Sequence, residues 1–225
     1  MNGLARVRLL QMTSQAFPIG GYSHSYGLEA AVESALVRDE ASLLQWVTDA
    51  LSYSIGKYEI PLLQRMSEAW IARDSIGLSR LNERFLATRE SAEMRSATVQ
   101  TGFSMRSLLA VLPELPEFLH ETLRRLQEPS LPCVWSGAAA AWAIPAADST
   151  AGYLWSWAEN QVLVGMKTVP MGQSAGQRVL LKIGGQIAEL AEHESSMNDA
   201  LSNFAPGLAI QCARHETQYS RLFRS

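Results

Sequence analysis

The feature that most constrains this chain is a helical repeat of apolar residues that recurs along most of its length. Leu43, Leu44, Val47 and Leu51 fall on one helical face, and Asp39 before them is a suitable N-cap. Similar helical runs are predicted at 60–70, 74–85, 91–112, 116–126, 133–143, 148–164, 174–194 and 206–213. No segment alternates apolar and polar residues for long enough to indicate a strand. The sequence therefore predicts an all-α fold, a single-domain bundle of about eight to ten helices.

The length and composition favour one domain over residues 1–225. The chain has 225 residues, of which 47% are hydrophobic, and it contains no internal repeat and no low-complexity linker. The longest uncharged stretch, 129–147, is interrupted by Pro132 and Pro145. The residues between these prolines would rise only about 18 Å as a helix, whereas a bilayer core is about 30 Å thick. We therefore expect a buried, alanine-rich helix here and not a membrane span.

The charge and the cysteine content limit the kinds of partner that the chain can bind and the cellular compartment in which we expect it. The formal net charge is −3, so there is no global basic field for nucleic acid, and we expect no nucleic-acid partner. Cys133 and Cys212 have no nearby cysteine or histidine cluster, which favours two reduced, buried thiols. The first residues lack the apolar run of a signal peptide. Together these features predict a cytoplasmic protein.

Sequence motifs for metal and nucleotide chemistry are missing. The four histidines are His24, His120, His193 and His215, and no two of them are spaced to face one another on a helix. The string closest to a phosphate-binding loop, at 165–168, lacks the upstream glycine and the Gly-Lys step. We therefore predict no resident metal, no cofactor and no nucleotide bound by this chain alone.

One serine–histidine pair permits a catalytic alternative. Ser23 and His24 are neighbours, and a serine near a histidine can be an activated nucleophile. Adjacent side chains seldom aim at each other, however, and no nucleophile elbow is present. The structural interpretation is a turn at 18–21, after which Ser23 or Ser25 caps a helix with His24 and Tyr26 in its first turn. A small Ser/His hydrolase remains the enzymatic alternative.

Two segments contain residue types that helical packing alone does not require. Residues 17–29 are dense in glycine, serine, tyrosine and histidine between apolar helices. Residues 214–225 carry three arginines against one glutamate, with aromatic and apolar residues interleaved. Arginine and aromatic side chains are enriched at protein interfaces. The first segment fits either a loop with a helix cap or a recognition surface, and the second favours partner docking.

These segments also carry a family resemblance. Residues 15–29, QAFPIGGYSHSYGLE, resemble the N-terminal signature of UreF, a family of urease accessory proteins. Residues 214–225, RHETQYSRLFRS, are similar to the C-terminus of enterobacterial-type members of that family. Between them, residues 171–178 resemble its Gly-Gln-x-x-x-Gln core.

The resemblance implies a helical, dimerising chaperone with no bond chemistry of its own. A UreF protein binds UreD, also called UreH, and recruits the nickel-carrying GTPase UreG, whose GTPase cycle it modulates. The complex then docks on apo-urease and helps to insert nickel, which passes through in transit. Residues 1–225 would then be one UreF-like domain in which 214–225 is a C-terminal docking tail. A helical scaffold protein unrelated to urease is the remaining alternative.

The resemblance also assigns the residues of two partner surfaces. On the GTPase side it implies contacts from Gly20, Gly21, Tyr22, Ser23, His24, Gly27, Glu29 and Lys167. On the UreD/UreH side it implies contacts from Arg214, His215, Glu216, Tyr219, Arg221, Leu222, Phe223 and Arg224. The two segments are thus expected to face two different partners.

Overall fold

All regular elements are helical in the part of the chain that the computed structural model describes, residues 1–193 and 201–225. The helices are α1 (Gly3–Thr13), α2 (Leu28–Glu33), α3 (Glu40–Asp49), α4 (Ile60–Ile71), α5 (Ser75–Ala87), α6 (Ala92–Ala110), α7 (Glu117–Arg125), α8 (Leu131–Ala141), α9 (Ala146–Thr168), α10 (Gln173–Glu192) and α11 (Pro206–Glu216). A π-helical segment, Ala50–Glu59, joins α3 to α4 without a break. With that continuous rod counted as one helix, the described residues form ten, and the all-α prediction is confirmed.

Local capping signals set the starts of three helices. Asp39 and Ser42 form a capping box at the start of α3, where the Ser42 amide donates to Asp39 Oδ1 at 2.8 Å. Asp74 accepts from the Gly77 amide at 2.8 Å and begins α5. Ser91 caps α6 in the same way. The predicted cap at Asp39 is therefore confirmed, because it satisfies an amide that the helix leaves without a partner.

The π-helical segment was not predicted by the apolar repeat. It turns Glu59 into the interior, where a carboxylate oxygen lies 2.5 Å from Arg89 Nη1 and the Tyr153 hydroxyl donates to the other at 3.0 Å. At Gly56 a Cβ would lie 2.6 Å from the Leu51 carbonyl oxygen, so the wider turn depends on glycine there. Long π-helical stretches are rare and frequently lie near functional sites.

The core forms two apolar clusters. One surrounds α4 and α8 and includes Trp70 and Trp135, and the other lies between α3, α9 and α10. The alanine-rich α8 is buried as predicted, and a Cβ at Gly137 would lie 2.8 Å from the Trp70 ring. Small residues therefore let α8 approach α4 closely. No helix of the described residues is long and apolar enough to cross a membrane.

The largest differences from the prediction lie near the ends of the sequence. Helix α1 was not predicted, because its large apolar residues do not share one face; Leu4, Val7 and Leu10 are exposed. Helix α11 continues to Glu216, beyond the predicted end at 213, and α10 ends at Glu192. Residue 194, the predicted end of that run, lies outside the described residues.

Candidate partner-docking site

The two unusual segments lie against each other. We call residues 17–29 the signature loop and residues 214–225 the tail. The Arg224 amide donates to the Ser23 carbonyl oxygen at 2.9 Å. The Ser225 carbonyl oxygen accepts from the amides of Ser25 and Tyr26, the second at 3.0 Å. The family resemblance implies two different partners for these segments, whereas the structure joins them into one loop–tail cluster.

The signature loop has a backbone that few residues tolerate. Tyr26 and Gly27 are both left-handed, with φ of 53° and 81°. A Cβ at Gly27 would lie 2.9 Å from Cys212 Sγ and 3.1 Å from the Cys212 amide nitrogen. Glycine is therefore needed both for the conformation and for the close approach of the loop to α11.

The predicted cap for the helix after the loop is wrong. Helix α2 begins at Leu28 and has no side-chain cap, so neither Ser23 nor Ser25 caps it. His24 is extended and precedes the helix instead of lying in its first turn. The Ser23 hydroxyl bonds to the Gly20 carbonyl oxygen, and the left-handed turn at Tyr26 and Gly27 separates residues 23–25 from the start of α2.

Two side-chain amides of helix α9 hold the backbone of the signature loop by hydrogen bonds. The buried Asn160 Nδ2 donates to the His24 carbonyl oxygen at 2.8 Å, and the adjacent Gln161 Nε2 donates to the Ser25 carbonyl oxygen at 3.0 Å. Trp46 Nε1 in turn donates to Gln161 Oε1 at 3.2 Å. This support from α9 was not predicted from the sequence. The sequence feature that could have revealed it is the pair of adjacent side-chain amides, Asn160 and Gln161, within an otherwise largely apolar helical run.

His24 is buried and belongs to the loop–tail contact. Its Nδ1 lies 2.8 Å from Ser225 Oγ. Burial, with a smaller contribution from the nearby Arg224 charge, lowers the pKa of His24 to about 4. The Ser23 hydroxyl donates to the Gly20 carbonyl oxygen at 2.8 Å. The Ser23–His24 pair required by the hydrolase alternative is therefore not formed.

A buried carboxylate on α2 anchors the tail. Glu29 accepts from the Leu222 amide at 2.6 Å and from the Phe223 amide at 3.1 Å, one on each oxygen. His215 Nε2 lies 3.2 Å from the same carboxylate. Carboxylate acceptors form stronger hydrogen bonds than neutral ones, so Glu29 fixes both the tail backbone and α11.

A second carboxylate, on α6, holds the other side of the tail. Glu93 lies 2.6 Å from His215 Nδ1 and 2.5 Å from Arg221 Nη1 through its two oxygens. Its own amide donates to Glu216 Oε1 at 3.0 Å. Glu93 was not predicted as a site residue, because nothing in its local sequence distinguishes it from other acids in the first turn of a helix.

Lys167 also contacts the tail. It lies exposed in the last turn of α9, and its ammonium group is 5.5 Å from the centre of the Phe223 ring. This is a cation–π geometry. It joins one residue predicted for the GTPase side with one predicted for the UreD/UreH side.

The predicted residues divide into a supporting group and an exposed group. The buried group holds the cluster together and consists of His24, Gly27, Glu29, His215 and Phe223. The exposed group is open to a partner and consists of Tyr22, Lys167, Arg214, Glu216, Tyr219, Arg221, Leu222 and Arg224. Gly20, Gly21 and Ser23 are partly buried. The exposed side chains are therefore accessible at the surface, and the buried groups set the shape of the cluster.

Comparison with known proteins decides the family. The family model described as UreF matches residues 37–184. The chain is 50% identical to the urease accessory protein UreF of Dechloromonas aromatica over 99% of this chain and 98% of that protein. It is 48% identical to the UreF protein of Azoarcus sp. over 99% and 96% of the two chains.

The chain belongs to the UreF family. This confirms the resemblance seen in the sequence. The family model covers neither the signature loop nor the tail, which lie outside 37–184. The full-length relatives cover nearly the whole chain, so the likeness to UreF proteins extends over both segments.

The described residues of this UreF-family chain offer no built metal centre. They contain no group of three or more histidine, cysteine, aspartate or glutamate side chains placed to hold an ion. Cys133 and Cys212 are free and buried, and burial raises the pKa of Cys133 to about 12. Neither thiol therefore offers a thiolate near neutral pH.

Proposed function

We propose that this chain is a docking chaperone of urease maturation. The observation that carries the proposal is its near full-length similarity to proteins named urease accessory protein UreF. The loop–tail cluster supports it, because it presents exposed arginine, lysine and aromatic groups on a rigid base. The chain would act without bond chemistry of its own.

The proposed partners are UreD/UreH, the nickel-carrying GTPase UreG and apo-urease. The chain would bind UreD/UreH, recruit UreG, modulate its GTPase cycle and help to insert nickel, with a homodimer at the centre of the complex. Nickel is cargo in this scheme and not a resident cofactor. The proposed place of action is the cytoplasm.

The arrangement of the cluster suggests how the two partners would divide the surface. Tyr219, Leu222 and Arg221 on the exposed side of the tail would meet UreD/UreH, and Tyr22 and Lys167 beside it would meet UreG. Because these groups share one cluster, binding of one partner would alter the surface offered to the other.

The enzymatic alternative receives less support. A hydrolase would need the Ser23 hydroxyl to meet His24, and each of them bonds elsewhere. Turnover of a generic ester that is abolished by Ser23→Ala would favour the hydrolase over the chaperone; we expect no turnover.

The decisive experiment is a co-expression pull-down with UreD and UreG followed by activation of apo-urease. We expect Leu222→Ala to weaken UreD retention severalfold without loss of fold. Ile71→Ala is a matched control, since Ile71 at the end of α4 is 76% exposed and Leu222 is 73% exposed. Truncation after Arg214 should abolish UreD retention. Full retention by the truncated chain would overturn the proposed role of the tail.

A further inference from the structure

A groove outside the loop–tail cluster lies between the rod of α3 with its π-helical continuation and the start of α11. It has a volume of about 290 Å³. One wall consists of Trp46, Asp49, Ala50 and Tyr53, and the other consists of residues 204–208. The four residues of the first wall are three or four positions apart, so they share one side of the rod.

Three aromatic side chains line this groove and remain accessible. Tyr53 and Phe204 are exposed, and Trp46 is partly buried. The face of an aromatic ring carries partial negative charge and attracts a cation placed over it. The groove therefore offers contact area both for a positive group and for the apolar stem that carries it.

The charge of the groove is negative and has no counterpart within it. Of the described residues that line the groove, Asp49 alone is charged. Its Oδ1 accepts from Gln45 Nε2 at 2.8 Å, and within the part of the chain that the structure describes it forms no ion pair. Lys57, further along the same rod, does not line the groove. The complementary occupant is therefore a cation that comes from outside the groove.

Hydrogen bonds hold one wall of the groove in place. Trp46 Nε1 donates to Gln161 Oε1 at 3.2 Å, and Gln161 Nε2 donates to the Ser25 carbonyl oxygen at 3.0 Å. The indole is thus fixed before any ligand arrives, which lowers the entropic cost of binding. The same two bonds connect the groove to the signature loop.

We propose that this groove docks an arginine side chain of a partner protein. A guanidinium is planar, stacks on aromatic faces and donates two parallel hydrogen bonds to a carboxylate. Asp49 accepts these bonds, while Trp46, Tyr53 and Phe204 pack against the guanidinium plane and the stem. That the partner is a protein of urease maturation rests on the proposed function, whereas the arginine site itself does not.

The first test needs no partner protein. The full chain is titrated with N-acetyl-arginine amide, and the Trp46 indole N–H and the Asp49 and Tyr53 amides are followed by NMR. We expect saturable shifts at these groups. N-acetyl-citrulline amide has the same shape without the charge, so it should bind about fivefold more weakly. Equal binding of the two compounds, or no shift at Trp46, would overturn the proposal.

Two surface variants separate the charge from the aromatic contact. Asp49→Asn should weaken binding of the arginine compound about fivefold and leave the citrulline compound unaffected. Tyr53→Ala should weaken binding of both compounds, because it removes stacking area. Asp148→Asn, at another partly buried acid in the first turn of α9, is the control and should bind like the unaltered chain. An Asp49→Asn chain with full affinity for the arginine compound contradicts the site.

The second test asks which protein supplies the arginine. In the pull-down with UreD and UreG, a chain with both Asp49→Asn and Tyr53→Ala should retain one of the two severalfold less, and Asp148→Asn should retain both. Full retention of both by the double variant would overturn the assignment to these partners, even where the titration succeeds. Self-association of the chain that Asp49→Asn abolishes would assign the arginine to a second copy and would likewise overturn the partner.

Discussion

The α4–α8 core and the loop–tail cluster are both buried, but different interactions hold them. The core packs Trp70 of α4 against Gly137 of α8, with Leu62 and Trp135 in the same buried cluster, and depends on volume and apolar area. The cluster depends on directional bonds to Glu29 and Glu93 from the tail. The stability of apolar packing does not depend on side-chain charge. The hydrogen bonds to a carboxylate, in contrast, are lost when a single side chain is removed. This difference suggests that the α4–α8 core stays folded under conditions in which the tail detaches from the signature loop.

The largest effect should come from the core. Leu62 is fully buried, so Leu62→Ala should lower the free energy of unfolding by about 2–5 kcal/mol through lost burial and a residual cavity. Chemical denaturation measures it as a lower midpoint for the whole chain. Leu181→Ala, at a highly exposed site on α10, is the control and should change stability by less than about 0.5 kcal/mol. Equal effects of the two variants would contradict the assigned core.

Removal of the tail anchor should have a large but local effect. Glu29→Ala leaves two tail amides and His215 without their acceptor, which should weaken tail docking by about 3 kcal/mol. Hydrogen exchange at residues 222–225 should accelerate, while amides in α8 keep their protection. Glu33→Ala, at an exposed position on the same helix, should leave the tail in place. Loss of protection in α8 as well as in the tail would show that the two regions are not separable.

Acid should weaken the cluster through His24. The unfolded histidine binds a proton below about pH 6.5, whereas burial and Arg224 lower the folded pKa to about 4. Protonation therefore favours the unfolded state, and this stability is lost as pH falls from about 6.5 to 4. The loss should reach at most about 3 kcal/mol. Denaturation midpoints of the unaltered chain and of His24→Gln measure it, and the variant should show a shallower acid dependence. Identical acid dependence would rule out the assigned role of His24.

The smallest effect on stability should come from Lys167. Its contact with the Phe223 ring is exposed, so Lys167→Ala should cost about 0.5 kcal/mol. The proposed function predicts a larger effect on UreG coupling, which is measured as nickel loading of urease. Lys167→Arg should restore part of it, and Lys182→Ala serves as the control. Unchanged nickel loading in Lys167→Ala would contradict its assignment to the GTPase side.

Capping residues and the apolar repeat predicted most of the helices, whereas the loop–tail cluster was predicted only in part. Asp39 and Asp74 cap helices through bonds three residues away, so the sequence alone reveals them. Glu93 contacts His215 and Arg221 across more than a hundred residues, and no local pattern encodes that. The resemblance identified both segments of the cluster. Their contact with each other required the tertiary structure.

The π-helical segment shows a second limit of prediction from sequence. Residues 50–59 continue the apolar face of α3, so an ordinary helical repeat describes them almost as well. The wider turn brings Glu59 to the buried Arg89 and requires the close approach at Gly56. Both are properties of the packed molecule.

The central claim is that the signature loop and the tail form one surface. It is tested most directly by hydrogen exchange at Ser25 and Tyr26, whose amides bond to the Ser225 carbonyl oxygen, in a chain shortened to end at Arg221. Both amides should lose protection while α4 and α8 keep theirs. Unchanged protection at Ser25 and Tyr26 would contradict it.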